Sequence, residues 1–194
     1  MDGFVQLLSG LIEDAGIAHE HIFTKKRFLE LPGFFRPTKE WDLLVVAEHR
    51  LLAAIELKSQ VGPSFGNNFN NRTEEAMGSA LDLWTAFREN AFDHAIRPWL
   101  GYLFLLEDCP QSRKPVKVRE PHFQVLPEFH GASYAKRYEI FCRKLVLERH
   151  YEAAALLNSS REQARSGAYQ EPAGDLGFAH FARSLVAHLG VYVT

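Results

Sequence analysis

Phe4, Leu7, Leu8, Leu11 and Ile12 recur at helical spacing, so residues 3 to 15 predict an amphipathic helix that stops at Gly16. Ile22 to Leu31 reads as a strand closed by Pro32-Gly33. Two short apolar runs follow, Trp41 to Val46 and Leu51 to Lys58, separated by Ala47-Glu48-His49-Arg50. That linker is polar and of hairpin-loop length, so the runs predict adjacent buried strands. Residues Gly62 to Asn71 are rich in Gly, Pro and Asn and read as a loop. Asn71 with Glu74 forms a capping box, opening a helix whose stripe is Met77, Ala80, Leu81, Trp84 and Phe87. Trp99 to Leu106 is almost continuously apolar, as a strand covered on both faces must be. Joined through the crossover helix, it is expected to run parallel to the third strand.

The last third reads as helical. Ser133 caps a helix running to about Leu157, with Ala135, Tyr138, Phe141, Leu145, Val146, Ala153 and Leu157 close together on its surface. A polar loop covers Asn158 to Gly174, and Asp175 caps a last helix carrying Phe178, Phe181, Ala182, Leu185 and Leu189. Helix, three strands, helix and strand make an α/β core, a mixed sheet flanked by helices, with a helical C-terminal extension. No repeat or long linker divides the chain, so one domain is expected over residues 1–194, with its core at about 1–110 and the helical part at about 131–194.

Register brings chemistry into this frame. With the hairpin turn centred between Glu48 and His49, or at His49, Asp42 falls opposite Ile55 or Glu56. In the second case two carboxylates stand side by side, their Cβ atoms about 5 Å apart. Side chains alternate along a strand, so Glu56, Lys58 and Gln60 share a face and Leu57 points the other way. Two carboxylates about 4 Å apart repel by about 4 kcal/mol at an effective dielectric of 20, and a divalent cation removes that cost. Mg²⁺ suits such a pair because it takes one or two protein carboxylates and completes its shell with water and phosphate oxygens. The predicted metal ligands are Asp42, Glu56 and the backbone carbonyl of Leu57. Asp42, Glu56 and Lys58 form the predicted catalytic set, with Gln60 as an accessory that orients water or phosphate. The chemistry this suits is in-line phosphodiester hydrolysis, with Lys58 orienting or deprotonating the attacking water. The competing structural reading is a solvated strand end with a surface ion pair.

Composition narrows the picture. The chain has 194 residues, 46% of them hydrophobic, and a net charge of −2. No apolar run is long enough to span a membrane and no secretion signal is seen, so a cytoplasmic location is expected. Cys109 and Cys142 have no metal-site spacing and are expected to be reduced thiols. A DNA-binding protein usually shows a basic surface, and here that requirement falls on a local cluster, Arg113, Lys114, Lys117 and Arg119. The segment beside the catalytic strand adds Asn67, Asn68, Asn70 and Arg72, residue types that pair bidentately with adenine and guanine edges. Its structural alternative is a turn-rich loop anchored by Phe65 and Phe69.

The arrangement Asp42 and Glu56-Leu57-Lys58 resembles the PD-(D/E)xK nuclease signature, with Trp41 where many members have proline. More narrowly, the chain resembles the XhoI-type type II restriction endonucleases. The likeness rests on residues Leu31 to Lys39, Ile55 to Ala76, Ser79 to Ala86, Arg97 to Tyr102, Glu120 to Phe123 and Gly131 to Tyr138. It implies a PD-(D/E)xK restriction-endonuclease-like fold and Mg²⁺-dependent cleavage of double-stranded DNA at the palindrome CTCGAG, leaving 5′ overhangs. It also implies a cognate DNA methyltransferase on a separate polypeptide and an additional N-terminal segment before the residue matching Met1. A palindrome is read by a two-fold symmetric protein, so a homodimer is expected. Two alternatives stand beside this reading: a repair or recombination nuclease on the same core, and a non-catalytic DNA-binding remnant.

Overall fold

The computed structural model describes residues 1–92 and 97–193. Among them are the strands β1 (Ile22–Phe23), β2 (Glu30–Pro32), β3 (Thr38–Glu40), β4 (Leu43–Ala47), β5 (Arg50–Gln60), β6 (Trp99–Glu107) and β7 (Ala153–Ser159). The helices are α1 (Asp2–Asp14), α2 (Phe65–Arg88), α3 (Pro110–Arg113), α4 (Tyr134–Leu147), α5 (Arg161–Arg165) and α6 (Phe178–Leu189). Five strands form one mixed sheet in the order β1-β4-β5-β6-β7, with β1, β4 and β5 antiparallel in turn and β5, β6 and β7 parallel. β2 and β3 pair separately as a small antiparallel hairpin.

Strand alternation divides the core into two layers. Leu43, Val45, Ile55 and Leu57 pack with Leu8, Ile12, Phe181 and Leu185 of α1 and α6. On the other face, Leu44, Ala54, Tyr102 and Phe104 pack with Ala80, Leu83, Tyr138 and Phe141 of α2 and α4. The crossover through α2 makes β6 parallel to β5, as its near-continuous apolar run predicts. Among the described residues no helix is long and apolar enough to cross a membrane.

Four sequence expectations are corrected. The strand expected from Ile22 to Leu31 is broken by a 3₁₀ turn at Lys26–Phe28, leaving only β1 and the start of the β2–β3 hairpin. The expected Gly62–Asn71 loop is mostly helix: α2 begins at Phe65 after Ser64, so Asn71 lies inside the helix and caps nothing. Asparagine is a poor helix former, but Phe65 and Phe69, one turn apart, pack on Tyr134 and Tyr138 and outweigh that cost.

The third correction concerns α4. Ser133 does cap it, accepting from the Lys136 N–H, but the helix stops at Leu147 rather than near Leu157. Arg149 takes a left-handed conformation, φ 58°, and the N–H groups of His150 and Tyr151 both return to the Leu145 carbonyl. No glycine or proline marks this stop. The alanines and leucines that follow form β7, a buried parallel edge to the sheet, so the C-terminal part completes the sheet as well as adding helices. Finally, the polar stretch from Asn158 to Gly174 is not all loop, since β7 runs to Ser159 and α5 follows. Asn158 and Gln170 exchange both backbone hydrogen bonds, Ser160 and Gln163 form a capping box on α5, and Asp175 pairs with Arg143 instead of capping α6.

Candidate active site

The β4–β5 hairpin closes with a two-residue turn, Glu48 and His49, both at positive φ. Ala47 pairs with Arg50 and Val46 with Leu51, a register that by itself would set Asp42 opposite Ile55. A bulge intervenes. Val45 pairs with Ala53, leaving Leu52 as an extra residue, so Leu43 faces Ile55 and Asp42, the next residue back, falls opposite Glu56. Leu52 and Ala53 accordingly both pack into the same layer.

The result is an ionic cluster on one face of an apolar sheet, at its central strand. Lys58 Nζ lies 2.5 Å from Glu56 Oε1 and 3.8 Å from Asp42 Oδ2. Asp42 Oδ2 also accepts the Leu57 N–H at 2.7 Å. A residue's N–H and C=O point to the same edge of an extended strand, so the Leu57 carbonyl faces the Asp42 side as well. Glu56 is only 3% exposed. Burial raises the Asp42 pKa, against the pull of the Leu57 N–H and of Lys58. Burial pushes Lys58 down, but the Glu56 and Asp42 carboxylates together more than offset it and the ammonium is held above its usual value.

A second lysine completes the cluster, and no periodicity or spacing pointed to it. Lys39 on β3 donates to Glu56 Oε2, while its ammonium sits 4.1 Å from the centre of the Trp41 ring. Burial holds the Lys39 pKa below the usual lysine value despite that carboxylate. Its only signal in the sequence is a cation two residues before Trp41.

The other predicted residues spread along the same side. Gln60 is 2% exposed; its Oε1 accepts from the Tyr138 hydroxyl and its Nε2 has no partner among the described residues. Arg72 pairs with Glu75 one turn along α2 and acts electrostatically on Lys58, so it borders the cluster. Asn67, Lys114 and Lys117 line a cleft of about 550 Å³ at the start of α2. Asn70 is exposed and Asn68 half-buried on the same first turns. Arg113 is turned away into a two-pronged ion pair with Asp108, at 2.5 and 2.7 Å, while Arg119 is exposed.

Among the described residues no group of three or more His, Cys, Asp or Glu forms a ready cation cage. Two carboxylates and one carbonyl are nevertheless a donor set that fits a hard divalent ion, which keeps several waters and takes substrate oxygens. The two lysines balance the charge of the carboxylates.

The sequence matches the family described as "Restriction endonuclease XhoI" over residues 1–171, and the chain belongs to that family. The mixed sheet flanked by helices fits it. Among curated proteins, the chain is 58% identical to the type II restriction enzyme BstVI of Geobacillus stearothermophilus, across 97% of this chain and 86% of that one. It is 52% identical to the type II restriction enzyme XhoI of Xanthomonas vasicola, across 76% of this chain and 60% of that one. The type II restriction enzyme AbrI of Azospirillum brasilense is 56% identical, across 64% of this chain and 56% of that one. No solved structure matches the chain.

Proposed function

We propose that this chain is a Mg²⁺-dependent type II restriction endonuclease that hydrolyses double-stranded DNA at a palindrome, CTCGAG being the site implied by its family resemblance. In this reading residues 1–194 form one cytoplasmic endonuclease domain that acts as a homodimer, beside a separate cognate DNA methyltransferase. The observation that carries it is the meeting of Asp42, Glu56 and Lys58 on one face of the sheet where β4 and β5 adjoin, in a chain of the XhoI family.

Asp42, Glu56 and the Leu57 carbonyl hold the ion. When bound, it polarises the phosphodiester and lowers the pKa of a water. Lys58, already placed between the two carboxylates, orients that water and offsets charge on the leaving oxygen. Gln60, its Oε1 held by the Tyr138 hydroxyl and its Nε2 without a partner among the described residues, is the accessory that orients water or phosphate. Asn67, Asn68, Asn70 and Arg72 contact DNA from the first turns of α2. Lys114, Lys117, Arg119 and Arg113 supply phosphate contacts across the adjoining cleft, Arg113 after release from Asp108.

Digestion of DNA of known sequence with Mg²⁺, followed by mapping of the ends, tests this reading. The expected result is cutting of both strands within CTCGAG to leave 5′ overhangs. Cutting without sequence preference would favour a repair or recombination nuclease, and no cutting would favour a DNA-binding remnant.

A further inference from the structure

The stretch from Thr24 to Glu40 carries five cations, Lys25, Lys26, Arg27, Arg36 and Lys39, against two acids, on a chain whose net charge is −2. Lys39 turns inward to Glu56, but the others are exposed. Lys25 and Arg27 have no carboxylate partner among the described residues, and Arg27 lies over the exposed Phe28 ring at 4.5 Å. At the tip of the β2–β3 hairpin, Phe34 and Phe35 are 53% and 65% exposed, packed edge to face with ring centres 5.2 Å apart.

The backbone beneath this pair is held from inside. Asp82 of α2, 2% exposed, accepts the N–H groups of Phe34 and Phe35 at 2.7 Å each and Arg36 Nε at 2.9 Å. A Cβ on Gly33 would come within 2.4 Å of the Asp82 carboxylate, so glycine is what lets the loop approach it. A buried charge is thus committed to holding two phenylalanines out in solvent. Preorganisation of this kind lowers the entropic cost of binding.

We infer that the β2–β3 hairpin is a DNA-contacting arm, with Phe34 and Phe35 packing as an apolar wedge against bases and Lys25, Lys26 and Arg27 holding phosphates. This rests on the nuclease reading above. Phe35 is four residues from Lys39, at most about 14 Å of chain. At about 3.4 Å per base pair that places the tip at most about four steps from the cluster at Glu56. Phenylalanine is a recurrent wedge between base steps, and cations beside it supply the counterion-release contribution. A second copy of the chain is the poorer fit: in a two-fold contact centred on the tip, the arm would meet its own cations.

The test measures binding by the full-length chain, with Ca²⁺ in place of Mg²⁺, to a labelled duplex containing CTCGAG across a salt series. Removing one ring that stacks on a base should weaken binding about 5- to 150-fold. F34A/F35A should therefore raise Kd by about tenfold or more, with an unchanged melting temperature and an unchanged salt slope. K25A/K26A/R27A should instead flatten the salt dependence by about 0.9 for each phosphate that is no longer neutralised. Wild-type affinity in F34A/F35A, or an unchanged slope in the triple variant, overturns the arm. So does a loss of affinity accompanied by dissociation of an oligomer in sedimentation velocity, which would assign the tip to a protein interface. Failure of the wild-type chain to bind the duplex overturns the nuclease reading itself.

Discussion

Asp82 and Asp42 serve the same layer of the core, and their surroundings act on them in opposite senses. Asp82 accepts from three backbone N–H groups, of Phe34, Phe35 and Arg36, and from the Arg36 side chain. Although burial pushes its pKa up, those donors together hold it below the usual carboxylate value. Asp42 has one backbone donor, and burial leaves its pKa raised. Fixed dipoles surround the first acid; around the second stand ammonium groups and another carboxylate, Glu56. A fully satisfied acid has no bonding capacity left for a ligand. One that is poorly satisfied and faces a like charge gains from a cation, and that difference separates a clamp from a candidate catalytic group.

The two acids should differ most in turnover. Asp42→Asn or Glu56→Gln should slow cleavage by roughly 10²- to 10⁴-fold, the several kcal/mol expected when metal chemistry fails, while Asp42→Asn melts no lower than wild type and Glu56→Gln, which strands two lysines, melts lower. Single-turnover rates at saturating protein check this, and an undiminished rate in either variant removes that residue from the mechanism. Asp82→Ala should do the reverse. It leaves three N–H groups and a guanidinium without their acceptor, costing about 3–5 kcal/mol and lowering the melting temperature by on the order of 10 °C. The rate of the folded fraction should change little.

Acid titration should separate them again. The Asp82 pKa is depressed on folding, so its contribution is fully present above the unfolded carboxylate value and is lost as pH falls through the folded one. The Asp42 pKa is raised, so its ionised form costs stability above the folded value, and that cost disappears as pH falls towards the unfolded value. Urea unfolding from about pH 7 to about pH 3 should therefore show a shallower acid loss in Asp82→Ala and a steeper one in Asp42→Asn, which gains stability at neutral pH. Identical pH profiles for the two variants would contradict the assignment.

Lys39→Met probes the ammonium that stands where a cation would approach Glu56. Removing it should tighten Mg²⁺ or Mn²⁺ binding on the order of tenfold, as measured by calorimetry, because a competing positive charge is gone. Unchanged affinity would place Lys39 outside the cation's path. Effects on sequence preference, rather than on turnover or stability, belong to the exposed polar residues of α2. Asn67→Ala or Asn70→Ala should erode discrimination against single-base variants by about 1–3 kcal/mol, whereas Lys114→Ala and Lys117→Ala should weaken all sequences alike. Uniform loss in the asparagine variants would make them backbone contacts.

Much of this arrangement is legible in the order of residues alone. The amphipathic stripe of α1, the paired apolar runs of β4 and β5 and the doubly buried β6 all appear near their expected positions. Two-residue alternation is enough to put Glu56, Lys58 and Gln60 on one face. Family resemblance adds the nuclease class, which periodicity does not contain. The misreadings share one cause. Ala153–Leu157 is rich in good helix formers yet becomes β7, because an open edge of β6 accepts small side chains on both faces. The asparagines of α2 look like loop residues until Phe65 and Phe69 find Tyr134 and Tyr138.

The periodic elements, the shared face of β5 and the candidate acids thus follow from the sequence, because they depend on residues close together in the chain. Three features belong to the packed fold instead: the bulge at Leu52 that brings Asp42 opposite Glu56, the arrival of Lys39 from β3, and the grip of Asp82 on a loop 46 to 48 residues away. Each of these is a contact between distant segments. Its energy exists only once the sheet and helices have packed, and no local pattern encodes it.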